Sequence, residues 1–516
     1  MSSMSKQQYI TTPLYYVNAK PHLGHSYTTI LADVMKRHSV QRGVATTFLT
    51  GTDEHGEKID QMATKEGKLV QEFVDEVSQA YQDTWKAMSL DFDIFYRTTD
   101  STHKKKVQFA LQTLKDRGEI VFREYEGLYC VGCERFVTET ELTTKGECPD
   151  HLKKPELRKE ANYFFLMSQY QARLIEHLEK NPSAIRPDQY RTEMLSFLKQ
   201  PLQDLCISRP KDRLKWGIEL PFDANFVTYV WFDALMNYLC ATGWPDNQTN
   251  WRELFASAVH LIGKDIVKTH YVYWGAMLMA LESPLFKELN VNGYVLVDGN
   301  KMSKTIGNVV RPIELEAQFG TETLRFFLIR EISYGMDSTF TLEGYVNSIN
   351  AHLANGIGNF VSRVLTLCLK NFKGQFSASV LTDEDRALLA KRSETLAAWN
   401  QGFDELKFQN AAKAWCDLVT QGDLYINAMK PWALAKDPAQ SDRLQVVLGV
   451  ALQLIEALAF IAYPVIPQAS VAILKSLGVP IDPRTSLEGV TENRFNFALA
   501  SEVPKLFMRV QLPKED

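Results

Sequence analysis

The sequence lacks the long apolar run that a membrane span needs. No stretch approaches about 18 uninterrupted apolar residues. The start of the chain, MSSMSKQQYITTPLYYV, has neither the charged region nor the apolar core of a secretion signal. A cytoplasmic protein without membrane contact is therefore expected. An excess of positive charge is also absent, because the formal net charge is −5 over 516 residues. Any contact with nucleic acid must therefore depend on local patches.

Cysteine is scarce, and most of it is isolated. Of seven cysteines, the four that occur singly in apolar surroundings are predicted to be reduced core residues: Cys206, Cys240, Cys368 and Cys416. The other three are clustered with a histidine in CVGC and CPDH, as Cys130, Cys133, Cys148 and His151. Three thiolates and one imidazole are the donor set of a tetrahedral structural Zn²⁺ site. Iron or an empty site is the alternative, since a disulfide is disfavoured in a reducing compartment.

Strand and helix patterns alternate at the start of the chain. The segment QYITTPLYYV predicts a strand over residues 8 to 17, helical spacing of apolar residues follows from His25 to Gly43, and VATTFLTGTDEHG predicts a second strand. This is a parallel βαβ unit, whose ligands bind at the carboxyl ends of the strands. The alternation breaks into short segments over 117–226 and then resumes. Beyond about residue 345 the pattern is almost wholly that of amphipathic helices, which predicts a separate bundle.

The stretch PHLGHS places two imidazoles at the start of the first predicted helix. A helix N-terminus attracts phosphate, Gly24 lets a triphosphate approach closely, and His22 and His25 can donate hydrogen bonds to its oxygens. A pair of surface or helix-capping histidines explains the isolated motif about as well.

The stretch NKMSKTIGN, residues 300 to 308, places Lys301 and Lys304 around Ser303 on a loop after a late strand. Two ammonium groups suit the negative charge that develops on a leaving pyrophosphate. By itself, a solvated lysine turn is the better explanation of this stretch.

Together the two motifs resemble the double signature of class I aminoacyl-tRNA synthetases, HxGH in the first βα turn and KMSK[ST] after a late strand. The chain resembles the methionyl-tRNA synthetases in particular, over nearly its whole length, through PLYYVNAKPHLGH, GTDEHG, YVWFDALMNY, HLIGKDI, KMSKT, NFVSR and KPW. It departs from the commonest family forms at Thr305, where Ser is usual, and at Leu235, where some relatives carry Pro.

The resemblance implies an α/β fold in which a Rossmann-like parallel-sheet catalytic domain holds a zinc-binding insertion and precedes an all-α anticodon-binding bundle. The expected ranges are 1–116 and 227–293 for the two catalytic halves, 117–226 for the insertion with a single zinc knuckle, 294–345 for the KMSKT loop and stem-contact region, and 346–516 for the bundle. It also implies ATP binding at HLGH and KMSKT, with Gly263 and Asp265 of HLIGKDI facing the nucleoside, and Mg²⁺ accompanying the ATP.

Helical spacing predicts an aromatic cleft independently of the resemblance. In YVWFDALMNY, one helix face carries Trp231, Ala234, Leu235 and Tyr238. His270 and Trp274 share another face, and the strand-end residues Leu14 and Tyr16 lie beside them. Core packing is the ordinary explanation of such stripes, but an aromatic cleft also suits a polarizable thioether. The resemblance assigns these positions to the methionine side chain.

The resemblance assigns the substrate's ammonium group to Asp53 of GTDEHG. An acidic partner is what the charge of that group requires. A turn or helix-capping aspartate is the alternative for this position.

Three residues of the helical half are implied anticodon readers by resemblance: Asn359, Arg363 and Trp432. Amide, guanidinium and indole groups suit splayed bases, although pattern alone favours a core Trp and a surface Asn/Arg pair.

The predicted activity is methionine–tRNA ligation, in which methionine attacks the α-phosphorus of ATP and the methionyl group then passes to tRNA(Met). Three rivals are a smaller HxGH nucleotidyltransferase, a synthetase for Leu, Ile or Val with a larger editing insertion, and a non-catalytic zinc-containing RNA-binding module. Because no dimerising module follows residue 495, a monomer is expected.

Overall fold

The first part of the chain forms the expected βαβ unit. In the computed structural model, the described residues are 7–131, 135–137, 139–149, 152–246, 250–302, 307–372, 380–479 and 497–512. The first elements are β1 (Gln7–Thr11), β2 (Tyr15–Tyr16), α1 (Leu23–Gln41), β3 (Ala45–Asp53), α2 (Glu57–Lys65), α3 (Val70–Ala87), β4 (Ile94–Arg97) and α4 (Ser101–Asp116). The single strand predicted over 8–17 is divided into β1 and β2. Pro13 lies in the break, and it has no N–H to donate to a ladder.

Short strands and helices follow between residues 120 and 228. They are β5 (Ile120–Cys130), β6 (Arg135–Val137), β7 (Glu156–Phe165), α5 (Gln171–Lys180), β8 (Ile185–Arg186), α6 (Asp188–Leu198), β9 (Leu205–Cys206), β10 (Ser208–Pro210), β11 (Glu219–Leu220) and β12 (Asp223–Thr228). Strands β6, β5, β7 and β9 form one antiparallel sheet in that order, and β10, β12 and β11 form another.

The alternation of helix and strand then resumes up to residue 340. The elements are α7 (Val230–Cys240), α8 (Trp251–Ala256), β13 (Ala258–Gly263), a π-helix (Thr269–Trp274), α9 (Gly275–Ala280), β14 (Glu288–Asn292), β15 (Val295–Val297), β16 (Asn300–Lys301), α10 (Pro312–Phe319), α11 (Thr321–Glu331) and β17 (Ser338–Phe340). Strand β15 pairs antiparallel with β16 and parallel with β17.

A parallel sheet joins the two halves. Strand β3 pairs with β1, β2 and β4, while β1 pairs on its other side with β13, β13 with β14, and β14 with β8. The chain therefore proceeds in opposite directions from β1 and β13, which form the switch point where such sheets bind ligands. Strand β8 lies within the predicted insertion 117–226 and yet extends this sheet, so that range is divided between the sheet's edge and the small antiparallel sheets.

The remaining described elements are helical. They are α12 (Leu342–Ser348), a π-helix (Ile349–Gly358), α13 (Asn359–Phe372), α14 (Asp383–Asp404), α15 (Phe408–Met429), α16 (Pro431–Leu434), α17 (Ser441–Ala462) and α18 (Pro467–Ser476). The segment Pro438–Ala462 is apolar and long enough to cross a membrane, but 89% of its most apolar window is buried. It is the central helix of the bundle and not an exposed hydrophobic segment.

Two large hydrophobic clusters stabilise the structure. One lies around α7, α9, β13 and β14 and includes the aromatic residues of the predicted cleft. The other packs α1 and α3 against α10 and α11 and continues into the bundle. The bundle therefore shares a core with the helices that cover the parallel sheet.

Candidate active site

The N-terminus of α1 is capped by its own two imidazoles. His22 is the N-cap residue, and its Nδ1 accepts a hydrogen bond from the Gly24 N–H at 3.1 Å. The His22 N–H in turn donates to Nδ1 of His25 at 3.4 Å. This reciprocal arrangement is a capping box built from histidines. The two rings stack with centroids 3.6 Å apart.

The capping bonds determine which ring nitrogens carry protons. A backbone N–H can only donate, so Nδ1 of His22 and Nδ1 of His25 are both acceptors. The Tyr81 hydroxyl, 3.1 Å from Nδ1 of His25, donates to the same nitrogen. In both neutral rings the proton therefore lies on Nε2. The histidines cap the helix and still offer N–H donors to a phosphate, so the two explanations of the motif are compatible.

The surroundings keep both imidazoles neutral. Burial, together with the charges of Arg311 and Lys301, lowers the pKa of His22 to about 4. Burial, and then the neighbouring His22, lowers the pKa of His25 well below its usual value. Two neutral donors can stabilise phosphate oxygens without taking up protons near pH 7.

The lysine loop lies against the HLGH turn. A Cβ placed on Gly24 would come within 3.6 Å of the Met302 methyl carbon, and the Leu23 N–H donates to the Val310 carbonyl at 3.0 Å. The Lys301 ammonium group lies 4.2 Å from the centre of the Tyr294 ring. The predicted residues Ser303 and Lys304 lie outside the described residues. The two motifs, about 280 residues apart in sequence, are thus brought together.

The end of β13 supplies the predicted nucleoside-facing residues. Gly263 is the last residue of the strand, and Asp265 follows in a short 3₁₀ turn. A Cβ on Gly263 would lie 2.7 Å from Oδ1 of Asp265, which is closer than a real side chain tolerates. The Asp265 carboxylate thus lies directly over the Gly263 backbone, and a side chain at position 263 would displace that carboxylate.

The predicted cleft residues converge between β3, α7 and the first π-helix. Asp53 ends β3 beside Tyr16, its register partner in β2. The members that keep partial exposure are Leu14, Tyr16 and Trp231, whereas the others are buried: Asp53, Ala234, Leu235, Tyr238, His270 and Trp274. Six of the predicted residues belong to or pack against one hydrophobic cluster: Leu14, Tyr16, Trp231, Leu235, Tyr238 and Trp274.

The base of the cleft is a network of aromatic and imidazole groups. The Ile266 carbonyl accepts from Nδ1 of His270 at 2.9 Å, so Nε2 of that ring accepts from the Tyr238 hydroxyl at 2.8 Å. Burial lowers the pKa of His270 to about 4, which is consistent with a neutral ring. The Trp274 ring lies 6.0 Å from Tyr238, and the Trp231 ring lies 6.4 Å from His270. The resulting wall is apolar apart from a few hydrogen-bonded polar groups.

The predicted zinc ligands are only half described. Cys130 and Cys148 are both buried, and they lie in one small cluster with Val137. Cys133 and His151 lie outside the described residues. Within the described ranges no group of three or more potential metal ligands occurs. At this site only two of the four predicted ligands are described, so a group of three could not be found there.

Two of the three predicted anticodon readers lie in contact on the bundle surface. The Arg363 guanidinium carbon lies 5.5 Å from the centre of the Trp432 ring, and Trp432 is 42% exposed. Arg363 also donates to Asn427 at 2.7 Å. Asn359, one turn before Arg363 on α13, is exposed. These groups form an accessible aromatic and cationic surface suited to base stacking.

Sequence reasoning missed the groups that hold these residues in place. Tyr81 on α3 adds a second hydrogen bond to Nδ1 of His25, and Asp233 on α7 bonds two buried histidines, His55 and His103. Two of these supporting residues lie inside motifs that were selected for other residues, His55 in GTDEHG and Asp233 in YVWFDALMNY. Their position in those stretches was the available signal, but their partners are distant in sequence.

Family comparisons match both halves of the chain. A family model described as "tRNA synthetases class I (M)" matches residues 8–154 and 150–365. A second, described as the anticodon binding domain of methionyl tRNA ligase, matches residues 377–495.

Curated relatives are similar over nearly the full length. The methionine–tRNA ligase of Clostridium acetobutylicum is 40% identical over 519 residues, which cover 99% of this chain and 80% of the relative. That of Streptomyces coelicolor is 39% identical over 486 residues, which cover 92% of this chain and 90% of the relative.

Solved structures agree with the fold. Methionyl-tRNA synthetase from Mycobacterium tuberculosis in complex with methionyl-adenylate is 33% identical, with a TM-score of 0.91 over 96% of this chain and 98% of the other. The apo form from the same organism has a TM-score of 0.86 at 31% identity, over 99% of this chain and 100% of the other.

Proposed function

The chain belongs to the class I methionyl-tRNA synthetases, and from that premise we propose which of its residues carry the reaction. The enzyme activates L-methionine with ATP to methionyl-adenylate and pyrophosphate, and then charges tRNA with the methionyl group. The rival functions predicted from sequence are therefore excluded: a smaller nucleotidyltransferase, a Leu, Ile or Val synthetase, and a non-catalytic RNA-binding module.

Four residues stabilise the phosphates during activation. His22 and His25 donate through Nε2 to phosphate oxygens, and Lys301 and Lys304 neutralise the charge that develops on the leaving pyrophosphate. The Mg²⁺ that accompanies ATP supplies further charge neutralisation. The single observation that supports this assignment is the closeness of Met302 to the HLGH turn, since a Cβ on Gly24 would lie 3.6 Å from the Met302 methyl carbon. Gly24, Gly263, Asp265 and Ser303 complete the ATP site.

Methionine is held between a carboxylate and an aromatic wall. The Asp53 carboxylate forms an ion pair with the α-ammonium group and accepts its hydrogen bonds, since a buried anion at a strand end is a suitable partner for a cation. The thioether lies against the aromatic side chains of the cleft, where sulfur and ring edges attract each other. The side-chain pocket consists of Leu14, Tyr16, Trp231, Ala234, Leu235, Tyr238, His270 and Trp274.

The insertion holds one structural Zn²⁺. Cys130 and Cys148 come together in a buried cluster, and Cys133 and His151 complete a four-ligand set. The ion would stabilise the fold of this segment and leave no open coordination position for substrate. Titration of the purified enzyme with a thiol-reactive mercurial in the presence of a zinc indicator should release about one equivalent of zinc per chain. Release of none would contradict the assignment.

The bundle reads the anticodon through Asn359, Arg363 and Trp432. The exposed indole and the guanidinium beside it offer stacking and edge hydrogen bonds to splayed bases. We assign the ranges 1–116 and 227–293 to catalysis, 117–226 to the insertion apart from β8, which extends the parallel sheet, 294–345 to the lysine loop and stem contact, and 346–516 to the bundle. We place the enzyme in the cytoplasm as a monomer, which sedimentation at micromolar concentration tests.

The assignment of the lysine loop can be tested by methionine-dependent exchange between ATP and pyrophosphate. Lys304→Ala should lower the exchange rate by roughly 10²-fold or more, while binding of tRNA stays near normal. Lys180→Ala is the matched control, because that lysine lies on α5 with 70% of its side chain exposed. A change of less than about threefold in Lys304→Ala would contradict the proposed role. Assaying all twenty amino acids in parallel tests the methionine specificity.

A further inference from the structure

A buried carboxylate joins two histidines behind the methionine cleft. Asp233 on α7 is fully buried, and its oxygens accept from Nδ1 of His55 at 2.6 Å and from Nε2 of His103 at 2.6 Å. Both imidazoles are buried as well. The Tyr96 hydroxyl lies 3.1 Å from the other nitrogen of His103. These four residues, the Asp233 cluster, connect α7 with the loop after β3, with α4 and with β4.

The cluster lies at the junction of the two groups that hold the substrate. Asp233 is two residues after Trp231, which places it away from the cleft-facing side of the same helix. His55 is two residues after Asp53 in the loop that follows β3. The hydrogen bond between Asp233 and His55 therefore links the helix that bears the aromatic wall directly to the loop that begins just after Asp53, the last residue of β3.

The other side of this loop is fixed independently. Glu54 receives two hydrogen bonds from Arg97 of β4, at 2.6 and 2.9 Å, and its N–H donates to Thr98 at 2.9 Å. The Trp216 indole donates to the Glu54 carbonyl at 2.5 Å. These bonds hold the loop to the sheet and to the insertion, but none of them reaches α7. The bond from His55 to Asp233 is what connects this loop to α7 in the Asp233 cluster.

The carboxylate is held in its ionised form. Burial by itself would raise the pKa of Asp233, but the charges and hydrogen bonds of His55 and His103 together lower it to about 2. An ionised, fully buried acid is stable only with its partners in place. Loss of one imidazole donor would therefore leave a buried charge incompletely paired, which weakens the connection between α7 and the loop after β3.

We propose that Asp233 is a positioning residue for methionine, which fixes the Asp53 carboxylate relative to the aromatic wall through its hydrogen bond to His55. The inference rests on the proposed assignment of Asp53 and Trp231 to the methionine site. Asp233 touches no substrate. It determines the separation of two groups that must contact opposite ends of one small amino acid, and small displacements of such groups are costly.

Paired variants of the two histidines test the inference, because His55 bonds Asp233 through Nδ1 and His103 bonds it through Nε2. The side-chain nitrogen of Asn replaces Nδ1, and that of Gln replaces Nε2. His55→Asn and His103→Gln keep the donor, whereas His55→Gln and His103→Asn displace it. Methionine-dependent pyrophosphate exchange gives KM for methionine and for ATP, at a temperature where circular dichroism shows every variant folded.

The expected result is a split between the two substrates. His55→Gln and Asp233→Asn should raise KM for methionine by about tenfold or more and leave KM for ATP within about twofold. His55→Asn should stay within about threefold of the parent enzyme for both substrates. His103→Asn should give a smaller increase than His55→Gln, because His103 orients the carboxylate without touching the loop. A purely structural role would lower stability in the variants that displace the donor, without a larger effect on KM for methionine than on KM for ATP.

Two outcomes would overturn the inference. One is an equal effect of His55→Asn and His55→Gln, and the other is a parallel rise of KM for methionine and ATP. If Asp233→Asn does not fold, the four histidine variants decide the question. Asp53→Asn tests separately the assignment of Asp53 to the ammonium group of methionine. This variant should raise KM for methionine whether or not the Asp233 cluster positions Asp53. An unchanged KM in Asp53→Asn would reject both the pocket assignment and the inference.

Discussion

The buried ion pair between α1 and α11 predicts a large loss of stability on substitution. Asp33 and Arg325 have fully buried side chains, 2.5 Å apart. Arg325 also donates to the carbonyls of Val465 and Pro464, at 2.9 and 2.8 Å, in the turn between α17 and α18. Arg37 is the second cation on Asp33, at 2.9 Å. One guanidinium thus joins the helix that carries the HLGH motif to the bundle.

Arg325→Met keeps the length of the side chain but removes its charge and its hydrogen bonds. Asp33 then keeps Arg37 as its cation, and two buried carbonyls lose their donor. Removing one partner of a buried pair costs about 3–5 kcal/mol of unfolding free energy. We expect a loss in this range in urea unfolding followed by tryptophan fluorescence. Arg386→Met is the control, since that arginine pairs with Asp383 at an exposed site, and its loss should be within about 0.5 kcal/mol.

A double-mutant cycle separates the pair from the individual side chains. Asp33→Asn combined with Arg325→Met should recover at least about 1.5 kcal/mol relative to the sum of the single losses. The charges of Arg325 and Arg37 outweigh burial and lower the pKa of Asp33. The contribution of this carboxylate to the free energy of unfolding is therefore fully present above the pKa of Asp33 in the unfolded chain, and it is lost as the pH falls through the lower pKa of the folded protein. The difference between parent and Asp33→Asn should accordingly narrow below about pH 4. A loss below about 1 kcal/mol in Arg325→Met, or a coupling near zero, would refute the reasoning.

Three further predictions concern the imidazole pair and the bundle surface. Tyr81→Phe removes a donor to Nδ1 of His25, so the exchange rate should fall about three- to tenfold and ¹⁵N shifts should show mixed ring tautomers; a single unchanged tautomer would contradict this. Because burial first of all lowers the pKa of His22 to about 4, the unfolded chain binds a proton near pH 6.5 that the folded chain excludes. Stability should therefore fall from about pH 6.5 towards pH 4, and less so in His22→Gln, as measured by urea unfolding. Trp432→Ala should raise KM for tRNA by about tenfold or more in aminoacylation assays with pyrophosphate exchange unchanged, and a parallel loss of exchange would argue against an anticodon role.

The fold was predictable where a repeating pattern covered several turns or strands. The βαβ start and the helical second half follow from apolar spacing, and family comparison confirms the α/β catalytic region and the anticodon domain. Strand β8 escaped prediction because Ile185–Arg186 is too short to show an alternation. The central helix α17 has no polar stripe because nearly all of its residues are buried, so amphipathic spacing describes its neighbours better than it describes α17 itself.

Sequence motifs pointed to the proposed site residues but not to the groups that hold them in place. Helical spacing brings Trp231 and Tyr238 to one face, and it correctly separates them from Asp233. What Asp233 meets cannot be deduced from spacing, since His55 and His103 lie 178 and 130 residues away in sequence. The same holds for Asp33, whose relation to Arg37 is visible as an i, i+4 pair while Arg325 is 292 residues away. The partners of buried charges are determined by three-dimensional packing, and they cannot be identified from the spacing of residues in a single sequence.

Helix α1 explains why these distant partners bear on catalysis. Its N-terminus is the imidazole cap, and its last turns contact the bundle, where His38 lies 2.9 Å from the Asn400 amide oxygen and Gln41 donates to the Phe460 carbonyl at 2.9 Å. Asp33 lies between these ends and is held through Arg325. A helix of 19 residues is stiff over its length, so the bonds at its far end help to fix the direction in which both Nε2 groups point. The orientation of the two imidazoles that we propose as phosphate donors thus depends on contacts several turns away along α1.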